Sequence, residues 1–345
     1  MKNLFNKHLK WKTTLVASDK TIKDAIINLN KSTLKIVLIV DSTTNSFLGT
    51  VSDGDIRRGF LKGLKLNSQI IRVLNKKPTI VKKNKASESY KIPKHSNDIS
   101  QIPLINNFDK VEGLLIENKN IFDKKILDNN FLIMAGGKGK RLMPLTKYLP
   151  KPMLKIDGTP ILEHIILNAK KNKFRNFYIS VNYLKEAIKK YFKSGEELNV
   201  NIQYIEEKNP TGTAGSLKLL KKDNQLPIVV CNGDVLCDVD YEDLLQFHKK
   251  NKSIATMVIK SKSESLKYGV AFNKDSKLIG LSEKPSYNYN IITGIYILNY
   301  DVIKYINKKN FNMTDLFLKL IKLKKKTFIY PIFENWEDVS SRFKK

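Results

Sequence analysis

The chain has 345 residues, and its 62 lysines and arginines against 33 acidic residues give a formal charge of +29. Its apolar content of 41% is enough to bury a core, which excludes a wholly disordered chain. No apolar run approaches the roughly 18 residues that cross a bilayer, so neither a membrane span nor a signal peptide is predicted. The two cysteines, Cys231 and Cys237, cannot build a disulfide framework. Together these features predict a cytoplasmic protein with reduced thiols.

The large positive charge does not by itself predict a nucleic-acid partner. Only six of the 62 basic residues are arginines, and lysine is spread along the whole chain together with asparagine and isoleucine. Arginine is the usual reader of base edges and phosphates, so we expect no specific nucleic-acid binding and interpret the charge as a compositional bias. The densest basic run, over residues 322–326, follows a helical pattern and is predicted to be a solvated face.

The first 125 residues contain one pattern of elements twice. Each copy combines amphipathic helices with short apolar strands. The copies lie roughly 60 residues apart, a period longer than that of solenoid repeats and suited to a paired small domain. The predicted elements are helices over 21–30, 56–61 and 96–101, and strands over 36–40, 47–51, 78–81, 102–105 and 111–116.

From residue 131 onward, strands and helices alternate regularly, which is typical of an α/β fold with a doubly wound, mostly parallel sheet. In such sheets ligands bind beyond the carboxyl ends of the strands, so a site is expected there. We therefore predict two domains, 1–125 and 131–345, with a polar linker over 118–130. The elements predicted in the second domain are strands over 131–135, 177–181, 200–205 and 226–231, and helices over 161–172, 184–193, 214–220 and 241–248.

The strand over 131–135 runs into a glycine-rich sequence, G-G-K-G-K-R-L-M-P-L-T at 136–146, and P-K-P follows at 150–152. Glycines let backbone N–H groups approach phosphate oxygens without a Cβ in the way. Arg141 adds a fork of donors, and Lys151 adds a second cation downstream. The spacing fits neither a P-loop nor a Rossmann dinucleotide fingerprint. It predicts a site for a nucleotide polyphosphate, with a glycine-rich turn carrying two solvated cations as the alternative.

Residues 131–345 resemble the sugar-1-phosphate nucleotidyltransferases, whose signature is the run at 136–152. The resemblance implies a Rossmann-like α/β domain. It also implies in-line attack of a sugar-1-phosphate oxygen on the α-phosphorus of a nucleoside triphosphate, with pyrophosphate leaving and no protein nucleophile. Four further motifs follow in the order of the family: G-T-A-G, N-G-D, E-K-P and W-E-D, at 212–215, 232–234, 283–285 and 336–338.

The resemblance implies a role for each matching residue, and Mg²⁺ as the cofactor. The residues implied in catalysis are Arg141, Lys151 and Asp234, and the implied magnesium ligands are Asp234 and Asp338. The implied nucleotide-binding residues are Ala135, Gly136, Gly137, Gly139, Lys140, Glu207, Gly212 and Thr213. The implied sugar-phosphate-binding residues are Asn182, Gly269, Glu283, Lys284 and Thr293.

The base of the nucleotide is expected to contact the loop over 206–212. A carboxylate only accepts hydrogen bonds, and guanine offers N1–H and N2–H₂ as neighbouring donors, so Glu207 favours GTP. A solvated surface charge at Glu206 or Glu207 is the alternative, and UTP, CTP and dTTP stay open as substrates. A non-catalytic regulatory subunit of this fold is a second hypothesis, against which the retained charged residues argue.

Three departures from the family pattern bear on the substrate. Lys140 stands where threonine is usual and adds charge beside the triphosphate. Ile292 stands where many relatives have asparagine, and S-S-R at 340–342 replaces the usual G-T-P. The last two lie on the sugar side, so the sequence predicts a hexose-1-phosphate without deciding which one.

The front domain resembles a pair of CBS domains, and G-T-V-S-D-G-D-I at 49–56 carries the resemblance. It implies that Ser52 binds the phosphate and Asp55 the ribose of an adenine nucleotide. The second copy reads G-L-L-I-E-N at 113–118 and has neither group, so one nucleotide site at most is expected. The alternative is a module that only dimerises, and a homo-oligomer held through this domain is expected.

Overall fold

The computed structural model describes residues 5–32, 34–82, 101–117, 126–221, 224–307 and 310–343. The chain divides into two compact units, Met1–Lys124 and Lys125–Lys345. Residues 96–100 of the predicted helix of the second repeat and most of the predicted linker lie outside the described residues, and Gln101, the predicted end of that helix, begins a strand instead. In the part of the chain that is described, no helix is long and apolar enough to span a bilayer.

The first unit consists of short strands and two helices in its described residues. The first copy of the repeat supplies both helices. The elements are β1 (Phe5–Lys7), β2 (Leu15–Ala17), α1 (Ile22–Ser32), β3 (Ile36–Val40), β4 (Phe47–Ser52), α2 (Asp53–Leu61), β5 (Val81–Lys82), β6 (Gln101–Ile105) and β7 (Val111–Glu117).

The strand pairing repeats within this unit. β2 pairs in parallel with β3, which pairs antiparallel with β4; β5 likewise pairs in parallel with β6, which pairs antiparallel with β7. In each antiparallel pair the register shifts at a matching place, after Ile39 and after Leu104, and Gly49 and Gly113 lie opposite those residues. The two copies are therefore related by topology as well as by sequence, with Gly49 and Gly113 equivalent.

The helices of this unit follow from its local sequence. Helix α1 buries Ile22, Ala25, Ile26 and Leu29, the apolar face that its spacing predicts. Helix α2 begins at Asp53, earlier than the predicted start at 56. The reason is a capping box, in which the Ser52 hydroxyl accepts from the Asp55 N–H at 3.3 Å and the Asp55 carboxylate accepts from the Ser52 N–H at 2.8 Å.

Ser52 and Asp55 are thus in contact, and the Ser52 hydroxyl also donates to the Asp55 carboxylate at 2.6 Å. Arg58 pairs with the same carboxylate at 2.5 Å. The capping box accounts for both residues locally, and their binding of an adenine nucleotide stays a prediction.

Over residues 131–250 the second unit largely alternates strands and helices as its sequence predicts, and four successive strands then follow over 255–298. Its elements are β8 (Phe131–Met134), β9 (Lys155–Ile156), β10 (Thr159–Pro160), α3 (Ile161–Lys171), β11 (Asn176–Val181), α4 (Lys185–Phe192), β12 (Asn201–Glu206), β13 (Ile228–Asn232), β14 (Val235–Cys237), α5 (Tyr241–Lys250), β15 (Ala255–Ser265), β16 (Val270–Lys274), β17 (Lys277–Ser282), β18 (Ser286–Leu298), α6 (Met313–Lys322), β19 (Thr327–Ile332) and β20 (Trp336–Asp338).

A seven-stranded sheet forms the centre of this unit, in the order β12-β11-β8-β13-β18-β15-β19. Within the sheet β18 alone runs against the other strands, which confirms the predicted mostly parallel sheet. Alternate residues of β8 enter different cores: Phe131 and Ile133 pack with residues of α3, α4 and α5, and Leu132 packs with residues of α6. Helices therefore cover both faces, as in a doubly wound fold.

The helix predicted over 214–220 is instead a short 3₁₀-helix, Gly215–Leu219. Its first N–H groups are taken up by loops, because Ala214 donates to the Phe311 carbonyl at 2.9 Å and Gly215 to the Gly212 carbonyl at 3.1 Å. The chain becomes extended again at Leu220, so the element stays short, as 3₁₀-helices usually are.

Candidate active site

The carboxyl ends of β8 and β13, two parallel neighbours at the centre of the sheet, border a cavity of about 460 Å³. The glycine-rich loop, the loop over 207–213 and the residues after β13 and β20 complete its walls. The lining includes every residue predicted for catalysis, for the nucleotide or for magnesium: Ala135, Gly136, Gly137, Gly139, Lys140, Arg141, Lys151, Glu207, Gly212, Thr213, Asp234 and Asp338.

The glycine-rich loop requires a glycine at position 139, because the backbone there is left-handed and closely packed. Its φ is +60°, and a Cβ there would lie 2.9 Å from Cγ2 of Thr146 and 3.2 Å from Cβ of Lys151. The Thr146 hydroxyl donates to the Gly139 carbonyl at 3.0 Å and closes the loop. A 3₁₀-helix, Lys140–Leu142, then carries Lys140 and Arg141 into the cavity wall.

The carboxylates of Asp234 and Asp338 meet around one ammonium group. Asp234 directly precedes β14 and Asp338 ends β20, and these strands pair antiparallel with Val235 opposite Asp338. The Lys151 ammonium donates to the Asp234 carboxylate and lies 3.6 Å from Oδ1 of Asp338. The Lys151 side chain is only 13% exposed and is shielded from water, whereas the side chains of Asp234 and Asp338 are 29% and 49% exposed. The structure thus brings together three residues that the sequence analysis paired only by resemblance.

Asp338 is held in its ionised form. Burial on its own would raise the pKa of this carboxyl. Hydrogen bonds from the Ser340 hydroxyl and N–H, together with the charge of Lys151, outweigh burial and hold the pKa of Asp338 below its ordinary value.

Two carboxylates on one wall fit a hard divalent cation such as Mg²⁺, which usually takes one or two protein carboxylates and fills its other positions with water and phosphate oxygens. Among the described residues no group of three or more histidine, cysteine, aspartate or glutamate side chains could hold a metal ion. The two carboxylates of Asp234 and Asp338 are compatible with magnesium bound jointly with a triphosphate. That cofactor stays a prediction.

Glu206 and Glu207, the two candidates for binding the base of the nucleotide, have different surroundings. Glu206 is exposed and pairs with Lys185 at 2.5 Å and with Lys189, and these lysines lower its pKa to about 2. It is therefore the solvated surface charge. Glu207 lines the cavity, accepting from the Ser180 hydroxyl and, at 3.0 and 2.7 Å, from the N–H and hydroxyl of Thr211.

Hydrogen bonds join the loop after Glu207 to the segment over 311–313. Gly212 has φ +78°, and a Cβ there would lie 2.6 Å from the Phe311 carbonyl oxygen. Phe311 donates its N–H to the Thr211 carbonyl at 2.8 Å, and the Thr213 hydroxyl accepts from the Met313 N–H at 2.8 Å. These bonds bring Asn312 into the cavity wall.

The residues predicted for the sugar phosphate are not among those lining this cavity. Asn182 adjoins it, since its side chain donates to the Glu207 carbonyl at 2.6 Å. Gly269 and Glu283 lie together, with Oε2 of Glu283 2.9 Å from the position of a Cβ on Gly269. The side chain of Lys284 is exposed, and the buried Thr293 donates its hydroxyl to the Val258 carbonyl at 2.8 Å. Their predicted roles stay predictions.

The contacts of several residues in this region were not predicted from the sequence, and Ser340, which was expected on the sugar side, lines this cavity. The hydroxyls of Ser180 and Thr211 bind Glu207, and Ser340 bonds Asp338. Of these contacts, only that of Ser180 joins residues far apart along the chain, 27 positions, whereas Thr211 and Ser340 here bond residues four and two positions away. For Asn312 a local signal exists, because it forms a capping box with Asp315 at the start of α6.

The family model described as Nucleotidyl transferase matches residues 130–341, which contain the whole cavity wall. The chain belongs to the nucleotidyl transferase family. A mannose-1-phosphate guanyltransferase of Yarrowia lipolytica is 34% identical over 216 residues, 60% of this chain and 60% of the relative. One of Emericella nidulans is 38% identical over 188 residues, 51% of this chain and 50% of the relative. This nucleotidyl transferase thus spans about half to three fifths of the length of these curated relatives.

A solved structure supports the fold of this nucleotidyl transferase. It is a putative glucose-1-phosphate thymidylyltransferase from Bacillus anthracis in complex with sucrose, with a TM-score of 0.51 and 23% identity. The similarity covers 62% of this chain and 93% of that one. At this identity it supports the mixed α/β fold with a parallel-rich sheet, and nothing about substrates.

Proposed function

We propose that the protein transfers a guanylyl group from GTP to a hexose-1-phosphate, forming a GDP-sugar and releasing pyrophosphate. The observation that carries the proposal is the cavity wall, in which a glycine-rich loop, the cations of Lys140, Arg141 and Lys151, and the paired carboxylates of Asp234 and Asp338 face one space. Cations beside backbone N–H groups suit a triphosphate, and carboxylates suit the cation that accompanies it.

Different residues of the cavity have different proposed roles in an in-line displacement at the α-phosphorus. Backbone N–H groups of the glycine-rich loop bind phosphate oxygens, and Arg141 neutralises the charge that builds up on the leaving pyrophosphate. Lys151 contacts both carboxylates and offsets their repulsion. Its proposed role is to stabilise negative charge on the α-phosphate. Magnesium held by Asp234 and Asp338 would supply further neutralisation of the triphosphate. The attacking oxygen is already ionised on the sugar-1-phosphate, so no protein base is required.

Guanine is the proposed base on two grounds. The Yarrowia and Emericella relatives are named guanyltransferases. In this chain Glu207 lines the cavity. Its Oε1 keeps one lone pair beyond the bond from Ser180, whereas the N–H and hydroxyl of Thr211 occupy both sites of Oε2. A guanine N–H donor matches that free acceptor site on Oε1. UTP, CTP and dTTP are the alternatives.

Glucosamine-1-phosphate is the proposed sugar. A CBS pair ahead of one nucleotidyltransferase domain in a lysine-rich chain of this length resembles the glucosamine-1-phosphate guanylyltransferase of the legionaminic acid pathway, which serves surface or flagellar glycan synthesis. The relatives named for mannose-1-phosphate make that sugar the direct competitor.

The front unit is proposed to be a CBS pair that either binds an adenine nucleotide at Ser52 and Asp55 or serves dimerisation alone. The repeated pairing of β2-β3-β4 and β5-β6-β7 supports a paired domain. In the register of the repeat Ile116 is equivalent to Ser52, so the second copy has no hydroxyl for a phosphate. A homo-oligomer formed through this unit is part of the proposal.

The test is a pyrophosphate-release assay on the full chain with Mg²⁺. GTP, UTP, CTP, dTTP and ATP are each paired with glucosamine-, mannose-, glucose- and N-acetylglucosamine-1-phosphate. Turnover with GTP and glucosamine-1-phosphate supports the whole proposal, and turnover with GTP and mannose-1-phosphate changes the sugar only. Turnover with another base discards the role of Glu207. A folded protein with no turnover contradicts the enzyme and favours a regulatory subunit.

A further inference from the structure

The side chain of Ser340 contacts both the Lys151 ammonium and the Asp338 carboxylate. Its hydroxyl donates to Oδ1 of Asp338 at 2.5 Å and accepts from the Lys151 ammonium. Its backbone N–H donates to the same Oδ1 at 2.9 Å. Ser340 is 9% exposed, so water competes little for these bonds.

The result is a continuous chain of polar contacts, Asp234–Lys151–Ser340–Asp338. The Asp338 side chain is 49% exposed, and among the described residues Ser340 supplies the close donors to its carboxylate, with Lys151 next at 3.6 Å. Without the hydroxyl, one backbone N–H would be left to orient a half-exposed carboxylate that can turn about two bonds.

We propose that Ser340 is a positioning residue, which fixes the carboxylate of Asp338 toward Asp234 so that both are presented to one divalent cation. This inference rests on the magnesium site of the proposed function. Hydrogen bonds to a ligating carboxylate fix its direction, and their loss commonly lowers metal affinity about tenfold or more. Ser340 acts through Asp338 and Lys151, and no contact with substrate is required of it.

The next residue supplies a matched control. The Ser341 hydroxyl also bonds Asp338, but it donates to the backbone carbonyl of that residue, at 2.9 Å, and it is exposed. Ser341→Ala therefore removes a hydroxyl bonded to the same residue without touching its carboxylate. Ser340→Thr keeps a hydroxyl at the position and serves as the conservative variant.

The experiment measures Mn²⁺ binding to the full chain by electron paramagnetic resonance of the free ion, with Mn²⁺ as the probe for Mg²⁺. Ser340→Ala is expected to weaken Mn²⁺ binding about tenfold, with Ser340→Thr close to the unaltered protein and Ser341→Ala indistinguishable from it. Thermal melting of each variant verifies the fold. The inference is overturned if Ser340→Ala binds Mn²⁺ as the unaltered protein does, or if Ser341→Ala weakens binding equally.

A second measurement separates this inference from the proposed function. In pyrophosphate release, Ser340→Ala is expected to need about ten times more Mg²⁺ for half-maximal rate and to recover its rate when Mg²⁺ is saturating. A rate deficit that saturating Mg²⁺ does not repair overturns the positioning role. If the unaltered protein binds no Mn²⁺ with or without GTP, the proposed magnesium site is wrong. If the unaltered protein binds Mn²⁺ and Ser340→Ala binds it equally well, only the positioning role of Ser340 is wrong.

Discussion

Val339 donates its backbone N–H to the carbonyl of Asp234 at 3.0 Å, beside the paired strands β14 and β20. The bond ties the peptide that carries Asp338 to the one that carries Asp234. The spacing of the two carboxylates is therefore set by strand pairing rather than by side-chain rotation alone. Two like charges so close would repel each other, and the Lys151 ammonium between them offsets the repulsion.

Asp234→Asn is expected to lower the rate of pyrophosphate release by a factor of about 100 to 1,000, the usual loss when one charge-stabilising group is removed from an active site. The amide keeps the shape but cannot ionise, so it loses both the ion pair with Lys151 and its charge toward a cation. Asp238→Asn is the control, because Asp238 is exposed and bonds the Asn335 amide instead. Full activity of Asp234→Asn would refute the metal-ligand role.

Gly139→Ala is expected to lower the free energy of unfolding by about 1 to 2 kcal/mol, the penalty of a left-handed conformation for a residue with a Cβ. Crowding by Thr146 adds to this strain, since the new Cβ would lie 2.9 Å from its Cγ2. Gly137→Ala is the control, as a Cβ at Gly137 meets nothing within 4 Å. Urea unfolding followed by circular dichroism measures both variants. Equal stability of the two would show that the loop relaxes around the added methyl group.

Much of the nucleotide side of the site could be predicted from the sequence. The glycine-rich loop and Asp234 follow neighbouring parallel strands, whose carboxyl ends share one edge of the sheet. The contacts of Ser180 with Glu207 and of Ser340 with Lys151 could not be predicted, because they join residues 27 and 189 positions apart that meet only in the folded chain. The early start of α2 was readable in principle, since Ser52 and Asp55 have the spacing of a capping box.

Glu207→Gln is expected to lower kcat/KM with GTP by about tenfold, the order of one hydrogen bond to a charged group. An amide presents a donor where guanine also has donors, so the fall should be larger for GTP than for dTTP. Glu206→Gln is the control, since Glu206 is an exposed partner of Lys185 and Lys189. An equal fall with every triphosphate would mean that Glu207 only anchors its loop through Ser180 and Thr211.

The buried ring of His248 predicts a loss of stability in mild acid. It is 1% exposed and contacts Thr256 at 2.8 Å and Asn299 at 3.0 Å. Burial lowers the pKa of His248 below its ordinary 6.5. Below pH 6.5 the unfolded chain therefore binds more protons than the folded chain. As the pH is lowered from 6.5, the free energy of unfolding decreases until the pH drops below the pKa of His248 in the folded protein.

Urea unfolding between pH 8 and pH 5 measures this dependence. His248→Gln should lose much of the slope below about pH 6.5, because the titrating ring is gone. His164→Gln, which removes a half-buried ring bonded to the Ile156 carbonyl, should keep it. A slope that survives in His248→Gln would assign the acid sensitivity to other groups.

Asp55→Ala is expected to abolish any rise in melting temperature that ATP, ADP or AMP causes, while basal pyrophosphate release stays unchanged. The substitution also removes a helix cap, which costs about 1 kcal/mol and would by itself lower the melting temperature. Asp24→Ala corrects for that loss, because Asp24 caps α1 in the same way, accepting from the N–H and hydroxyl of Thr21 at 2.9 and 2.7 Å. Both variants should melt lower without ligand, but only Asp24→Ala should keep the shift caused by the nucleotide. If both variants keep the shift in melting temperature, the nucleotide binds elsewhere. If the nucleotide does not shift the melting temperature of the unaltered protein, dimerisation alone is the proposed role of the front unit.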